Sequence, residues 1–217
     1  RYRSAVDVTK HQLTAIDLGD APEAWAAAGF TVVGGTVQLG NTVVRTTGSG
    51  GRLEGWAIDG VTEPIDGLAV AAADRTHPGT TPHTETSHPN GVVRIDHVVV
   101  RSGDCDRTAA AFAAAGLEVR GGRSTTSYGS PMRQVFLWAG DVIIELVGPD
   151  AGEPTTDEPT SIFGLALVAA DLDATAGHLG ELLGTPKEAV QQGRRIAGLR
   201  GREVGISLPV AVMSPHV

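Results

Sequence analysis

Two β-branched runs decide the fold: Ile95-Asp96-His97-Val98-Val99-Val100 opens residues 94–149, and Val142-Ile143-Ile144-Glu145-Leu146-Val147 closes them. Each run is typical of a strand that packs one face on a core. A helical pattern at residues 104–115 follows the first run, and the pattern of residues 133–138 indicates a further strand. This order of elements predicts one βαβββ module.

Residues 161–213 repeat the arrangement in a degraded form. The second copy has a strand pattern at residues 163–168, a helical pattern at residues 171–183 and a closing strand pattern at residues 205–210. A repeat of this length indicates a supersecondary unit that pairs with its copy to bury a shared core. We therefore expect an α+β protein built from tandem βαβββ modules.

The two copies differ in the polar residues of their first and last strands. His97 and Glu145 stand in the first copy, whereas the corresponding places in the second copy hold Gly164 and Ser207. Only the first copy therefore keeps a polar pair that can do chemistry. A glutamate inside an apolar strand also needs a partner, because burying an unpaired carboxylate is expensive.

A weaker third copy precedes these two. Residues 13–18 have the pattern of a strand, and residues 20–28 have the pattern of a short helix with Pro22 in its first turn. Residues 37–45 match residues 137–145, since both are strands joined by a turn of glycine with asparagine or aspartate. Arg45 takes the place of Glu145 in this copy.

Composition changes divide the chain into three parts. Residues 1–72 are expected to form a degenerate N-terminal module, and residues 92–217 are expected to hold the paired modules at 94–150 and 160–213. Between them, residues 73–91 are rich in proline, threonine and histidine. That composition predicts a linker or an ordered crossing loop.

Bulk properties exclude several classes of function. The chain has 217 residues, 41% hydrophobic and 19% charged, with a formal net charge of -8. It has no extended basic cluster, so nucleic acid and anionic membranes are not expected partners. We find no apolar run of the ~18–20 residues that a membrane span needs, and we expect no signal peptide. A single cysteine gives no internal disulfide, and we expect a cytoplasmic protein.

The tandem modules resemble the vicinal oxygen chelate superfamily, which includes glyoxalase I, extradiol dioxygenases and bleomycin-resistance proteins. The resemblance is clear over residues 94–213 and fainter over residues 13–47. It implies that paired modules form curled mixed sheets, and that the resulting cup holds the site. Metal-dependent members place a histidine in the first strand of a module and a glutamate in its last strand, and His97 and Glu145 match these positions.

Strand alternation sorts the residues of such a cup from those that pack on the helix. Val98 and Val100 are expected to face the helix, which aims His97 inward, and Glu145 is expected to point the same way. The inward face of the strand at residues 133–138 then carries a polar and two aromatic residues. We predict that substrate-binding residues on the two walls are Gln134, Phe136, Trp138, Arg200 and Ser207.

Three roles are open to His97 and Glu145. They bind a divalent metal (zinc, iron(II), manganese or nickel), with His88 as the third ligand; they perform acid–base chemistry without a metal; or they form a structural pair. The leading hypothesis is a small-molecule enzyme that uses this pair for proton transfer, isomerase, lyase or dioxygenase chemistry. The alternative is a non-catalytic protein that sequesters a small molecule, as the bleomycin-resistance proteins do. Cups in this family form within or between chains, so a homodimer is a further expectation.

Overall fold

A computed structural model of the chain describes residues 11–51, 53–71, 87–126, 131–150 and 155–216. Most of the predicted linker, residues 73–86, lies outside the described residues. None of the helices in the described ranges has the length and hydropathy needed to cross a membrane.

The N-terminal unit forms a four-stranded sheet in the order β2-β3-β1-β4. It has the four strands and one helix of a βαβββ module, but their pairing is irregular: β1 pairs in parallel with β3, and the last strand, β4, pairs antiparallel with the other side of β1. The module is therefore degenerate, as the sequence predicts. Its elements are β1 Leu13–Leu18, α1 Pro22–Ala27, β2 Thr36–Leu39, β3 Thr42–Thr46 and β4 Leu53–Ile58.

Both complete modules share one eight-stranded mixed sheet. The first comprises β5 Val92–Arg101, α2 Cys105–Ala114, β6 Val119–Thr125, β7 Met132–Ala139 and β8 Val142–Pro149. The second comprises β9 Ser161–Ala169, α3 Leu172–Leu179, a 3-10 turn at Gly180–Leu182, β10 Lys187–Glu188, β11 Arg195–Leu199, a second 3-10 turn at Gly201–Val204 and β12 Val210–Met213.

The strand order of this sheet is β10-β11-β12-β9-β5-β8-β7-β6. In each module the first strand pairs in parallel with the last, and the two modules meet where β5 pairs antiparallel with β9. The sheet is curled, and the predicted α+β class with tandem βαβββ modules is confirmed.

The same capping residue starts both module helices. The side chain of Asp104 accepts hydrogen bonds from the backbone N–H groups of Asp106 and Arg107, and Asp171 caps α3 in the same way. An aspartate at this position satisfies N–H groups that have no partner within the helix. The second helix is shorter than predicted, because Gly180 leaves the helical conformation at φ 55° and a 3-10 turn follows.

The core confirms the predicted alternation of strand residues. Val98, Val100, Leu137 and Ile144 are fully buried on the helix side of the sheet, as predicted. On the other side of the first module helix, the N-terminal sheet contributes Trp56, whose ring meets that of Phe112 edge-on at 5.9 Å between centroids. The helix α2 is therefore packed between the eight-stranded sheet and the N-terminal unit.

The last strand of the second module begins later than predicted. The structure places it at Val210–Met213 instead of residues 205–210, with Val210 opposite Leu165 of β9. A 3-10 turn occupies Gly201–Val204, and Gly205 follows in the left-handed conformation with φ 96°. The turn ends at Gly205, the first residue of the predicted strand, and residues 206–209 belong to no strand.

Candidate functional site

His97 and Glu145 meet on neighbouring parallel strands. His97 lies on β5 and Glu145 on β8, where Glu145 pairs with Val99. The imidazole Nε2 is 3.3 Å from the carboxylate Oε2, and 14% and 12% of the two side chains are exposed. The two groups are thus close enough to share a proton, and each keeps an edge open to a ligand.

The second carboxylate oxygen of Glu145 is held by the adjacent strand. The side-chain nitrogen of Gln134 on β7 donates to Glu145 Oε1. The side-chain oxygen of Gln134 accepts a hydrogen bond of 2.6 Å from Nε of Arg123 on β6, whose guanidinium lies 5.7 Å from the ring centre of Phe136. Both ends of the Gln134 amide are therefore engaged, and this residue positions Glu145.

On its other side, His97 is held by Asp96. The carboxylate Oδ2 of Asp96 accepts a hydrogen bond of 2.9 Å from His97 Nδ1. Neighbours along a regular strand face opposite ways, but the pairing of β5 with β9 shifts register between Ile95 and His97. Such a bulge re-aims a side chain, which brings adjacent residues into contact.

Asp96 is buried together with a cation from the second module. The guanidinium of Arg194 lies 3.0 Å from Asp96 Oδ1, and the side chains of Arg194 and Asp96 are only 1% and 2% exposed. Burial acts to raise the pKa of Asp96, but the hydrogen bonds from His97 and Arg194 outweigh it and hold that pKa well below its usual range. Asp96 is therefore a charged acceptor for His97.

The remaining donors of Arg194 bind the second module itself. They reach the backbone oxygen of Ser214 at 2.9 and 3.0 Å and the side-chain oxygen of Gln191 at 2.6 Å. The second module has no polar pair at the places of His97 and Glu145, yet it fixes the cation that keeps Asp96 charged.

This arrangement places one imidazole between two carboxyl groups. Asp96 takes the proton on Nδ1, so Nε2 is the nitrogen that faces Glu145. A direct hydrogen bond between Nε2 and Oε2 then requires one further proton, carried by either His97 or Glu145. The chemistry that the pair supports is the gain or loss of a proton at a ligand atom.

Half-buried apolar side chains surround the pair on the same face of the sheet. These are Val99, Phe136, Ile143 and Val147, and Trp138 is 36% exposed farther along β7. A few convergent polar groups in an apolar surface are typical of a small-molecule site.

His88, predicted as a third metal ligand, has both ring nitrogens engaged elsewhere. Its Nε2 is 2.8 Å from the backbone oxygen of Gln38, and its Nδ1 accepts a hydrogen bond from the backbone N–H of Thr31. Burial lowers the pKa of this histidine, partly offset by the bond to Gln38. We therefore correct the prediction: His88 joins the start of the C-terminal part to the N-terminal unit.

Ser207 is also misplaced by the sequence reasoning. Glu145 pairs with Val99, two residues after His97; the equivalent position in the second module is Ala211, which pairs with Ala166. Ser207 precedes β12 and lies in the turn region. The fault follows from the late start of that strand. Arg200, predicted on the same wall, follows β11 with an exposed side chain.

Asp96, Arg123 and Arg194 belong to the hydrogen-bonded network around His97 and Glu145, and the sequence reasoning missed all three. Asp96 adjoins His97 in a strand, which is a usable signal, but strict alternation assigns it to the helix face. Arg123 lies on β6 and Arg194 lies just before β11, and neither has a local pattern that links it to Glu145.

A divalent metal does not fit the described donors. No group of three or more histidine, cysteine, aspartate or glutamate residues is placed to hold an ion within the described ranges. At the pair itself, Asp96 takes Nδ1 of His97, and the Gln134 oxygen accepts from Arg123. One imidazole nitrogen and one carboxylate oxygen remain, and metal sites in proteins usually have three or four protein ligands.

No protein-family model and no curated protein matches the chain. Among solved structures, it is similar to a variant methylmalonyl-CoA epimerase of Streptomyces coelicolor in complex with 2-nitronate-propionyl-CoA, with 21% identity, a TM-score of 0.44 and coverage of 58% of this chain and 99% of that one. Methylmalonyl-CoA epimerase from Mycobacterium tuberculosis gives 18% identity, a TM-score of 0.47 and coverage of 58% and 91%. A hypothetical protein from Bacillus halodurans has 17% identity and a TM-score of 0.44, with coverage of 57% of this chain and 95% of that one.

These similarities concern the fold and no activity. The features that the sequence resemblance predicts, tandem βαβββ modules whose first and last strands pair in parallel, are present in this chain.

Proposed function

We propose that this protein is a small-molecule enzyme that moves a proton at a carbon next to a carbonyl group, with His97 and Glu145 as its acid–base pair. One observation carries the proposal: His97 Nε2 lies 3.3 Å from Glu145 Oε2, and both side chains are partly exposed on one face of the sheet. The same imidazole is fixed at its other nitrogen by a charged Asp96. A pair held this way can take up or release a proton without moving.

The surroundings suit a weakly acidic C–H bond as the substrate group. Apolar side chains such as Val99 and Phe136 border the pair, so water has limited access to the carboxylate. The Gln134 amide holds Oε1, which leaves Oε2 as the oxygen that shares a proton with His97.

The proposed reaction uses the protein's own groups. The step starts with the shared proton on His97, so that Glu145 is a carboxylate; Glu145 accepts the proton from the substrate carbon and becomes a carboxylic acid, and His97 stays hydrogen-bonded to the same carboxyl group. Asp96 and Arg194 keep the imidazole in one orientation throughout. The return of a proton to the carbon completes an exchange or an isomerisation.

Exchange with heavy water tests the proposal. Purified protein is incubated in D2O with a panel of 2-oxo acids, 3-oxo acids and 2-substituted thioesters, and deuterium uptake at carbon is followed by mass spectrometry. Glu145→Gln and His97→Gln should each slow the exchange by about 10²–10⁴-fold, the usual contribution of one acid–base group. The exposed Glu181→Gln serves as the matched control.

Three outcomes contradict the proposal. Exchange at the wild-type rate in both variants removes the pair from the chemistry. Activity that disappears after chelation and returns with zinc, iron(II), manganese or nickel replaces the proposed step with a metal-dependent one. Saturable binding of panel compounds with no exchange favours the sequestering protein instead.

A further inference from the structure

A cleft separate from the His97–Glu145 pair lies between the N-terminal unit and the second module. Its volume is about 530 Å³, and neither His97 nor Glu145 lines it. Small-molecule sites commonly have volumes of about 300–1,000 Å³. Its walls come from β4, the loop at residues 67–69, the ends of β5 and β9, and the turn before β12.

One wall of the cleft carries a buried hydroxyl group without a partner. The Oγ atom of Ser207 is buried, and it has no hydrogen bond within the described part of the chain. Its backbone N–H, in contrast, donates to Asp20 Oδ1 of the N-terminal unit at 3.1 Å. Buried hydroxyl groups are nearly always hydrogen-bonded, so a ligand in the cleft is a natural source of the missing partner.

The cleft also has an exposed aromatic ring in its lining. Phe163 lines the cleft and is 50% exposed. It lies where β9 pairs irregularly with β5, since Val99 is opposite Gly164 while Val100 is opposite Ile162. The bulge leaves Phe163 outside the strand ladder and directs it away from regular packing. An exposed aromatic at a built irregularity indicates a contact surface for an apolar group.

The charged groups of the cleft favour an anion. Arg202 lines the cleft with an exposed side chain, and no ion pair to it occurs within the described ranges. Arg101 is 3.0 Å from Glu158, with both side chains more than half exposed. Glu54, the acidic residue of the lining, accepts hydrogen bonds from the hydroxyl groups of nearby residues.

We infer that this cleft binds a small organic anion with an apolar ring or chain. The anionic group meets Arg202 and the hydroxyl of Ser207, and the apolar part packs on Phe163. The N-terminal unit then contributes to ligand binding, because its β4 and the loop at residues 67–69 form one wall of the site. This inference stands independently of the proton-transfer proposal.

A matched pair of fluorescent probes tests the inference. The anionic probe is 8-anilinonaphthalene-1-sulfonate, and N-phenyl-1-naphthylamine has the same rings without the sulfonate. We expect saturable binding of the anionic probe to the folded protein, with one molecule per chain. Ala69→Trp places an indole at an exposed position in the cleft and should abolish binding of both probes. Ala26→Trp, at an exposed position on α1, is the control.

Two further variants separate charge from shape. Arg202→Gln should weaken binding of the anionic probe about two- to fivefold, as expected for an exposed charge pair, and leave the neutral probe unchanged. Lys187→Gln, which removes an exposed cation on β10 outside the cleft, should change neither. Thermal unfolding followed by circular dichroism shows that each variant is folded.

Several results overturn the inference. Binding without saturation, or saturable binding that persists in Ala69→Trp, shows that the cleft is not the site. Loss of binding in Phe136→Ala but not in Ala69→Trp places the probe on the face that carries Glu145. An anionic probe that binds equally well to Arg202→Gln and wild type removes the anion preference.

Discussion

The N-terminal unit and the first module carry opposite charges at the same place in the fold. Arg45 on β3 and Glu145 on β8 each follow the same hairpin turn by the same number of residues. Arg45 is closed into an ion pair with Asp17 on the adjacent strand, through two hydrogen bonds. Glu145 instead meets a histidine, which has only one proton to share when it is neutral.

This difference shows what turns a position in the scaffold into a candidate active centre. The ion pair of Arg45 with Asp17 stabilises the fold but leaves no group for acid–base chemistry on a ligand. A carboxylate beside an imidazole has a proton that can move, provided a second acceptor fixes the imidazole. Asp96 provides that acceptor, and Arg194 from the second module keeps it charged.

The largest expected effect on stability comes from removing Arg194, the cation that the second module supplies to Asp96. Arg194→Leu leaves Asp96 buried without its cation, and removal of one partner of a buried pair typically lowers the free energy of unfolding by about 3–5 kcal/mol. Urea denaturation followed by circular dichroism measures the loss. Arg195→Leu is the matched control: its exposed pair with Asp173 should contribute less than about 1 kcal/mol. Equal losses in the two variants would contradict the role assigned to Arg194.

A smaller effect is expected when the closed pair of the N-terminal unit is opened. Arg45→Met leaves Asp17 partly buried without that partner, and should lower the free energy of unfolding by about 1–3 kcal/mol. Deuterium exchange at carbon should stay at the wild-type rate. Glu145→Gln should behave in the reverse manner, with exchange lost and stability little changed. If Arg45→Met slows exchange as strongly as Glu145→Gln, the contrast between the two places is wrong.

The smallest effect concerns the contact between the N-terminal unit and the first module. Asp66 accepts hydrogen bonds from Arg107, Thr108 and Thr160. Burial acts to raise its pKa, but these bonds outweigh burial and lower the pKa from its usual value of 3.8. A lowered pKa in the folded state means that the charged form stabilises the protein above about pH 4, and that this contribution is lost as the pH falls through the folded-state pKa.

Asp66→Asn tests this contact without disturbing the backbone, since Asp66 has a positive φ of 47° that asparagine tolerates. The variant should be less stable than wild type by about 1 kcal/mol at neutral pH, and the gap should close in acid. Unfolding midpoints in urea from about pH 7 down to about pH 2.5 measure the trend. A gap of constant size over this range would show that the charge of Asp66 contributes nothing.

Much of the fold could be predicted because its signals are local. Aspartate caps start both module helices, glycine turns mark the hairpins, and valine–isoleucine alternation sorts the two faces of β5 and β8. The closeness of His97 and Glu145 follows from the same alternation, because the first and last strands of a module pair in parallel. Such features depend on residues a few positions apart, so a single sequence contains them.

The rest of the candidate site depends on register and packing. His88 belongs to a segment rich in proline, threonine and histidine, which suggested that it was available as a metal ligand. Its ring is instead buried against the N-terminal unit. Ser207 has the spacing of a strand residue, but the 3-10 turn before it moves the strand onward and leaves the hydroxyl in another cleft. No local pattern reports either outcome.

The sequence by itself determined the module, its repetition and the faces of its strands, because backbone geometry repeats with a short period. The tertiary structure alone decided the proton array. A bulge between Ile95 and His97 turns Asp96 toward the imidazole. Arg194, which binds Asp96, lies 98 positions away along the chain. Burial of both charges depends on how the two modules close on each other, which is a property of the assembled sheet.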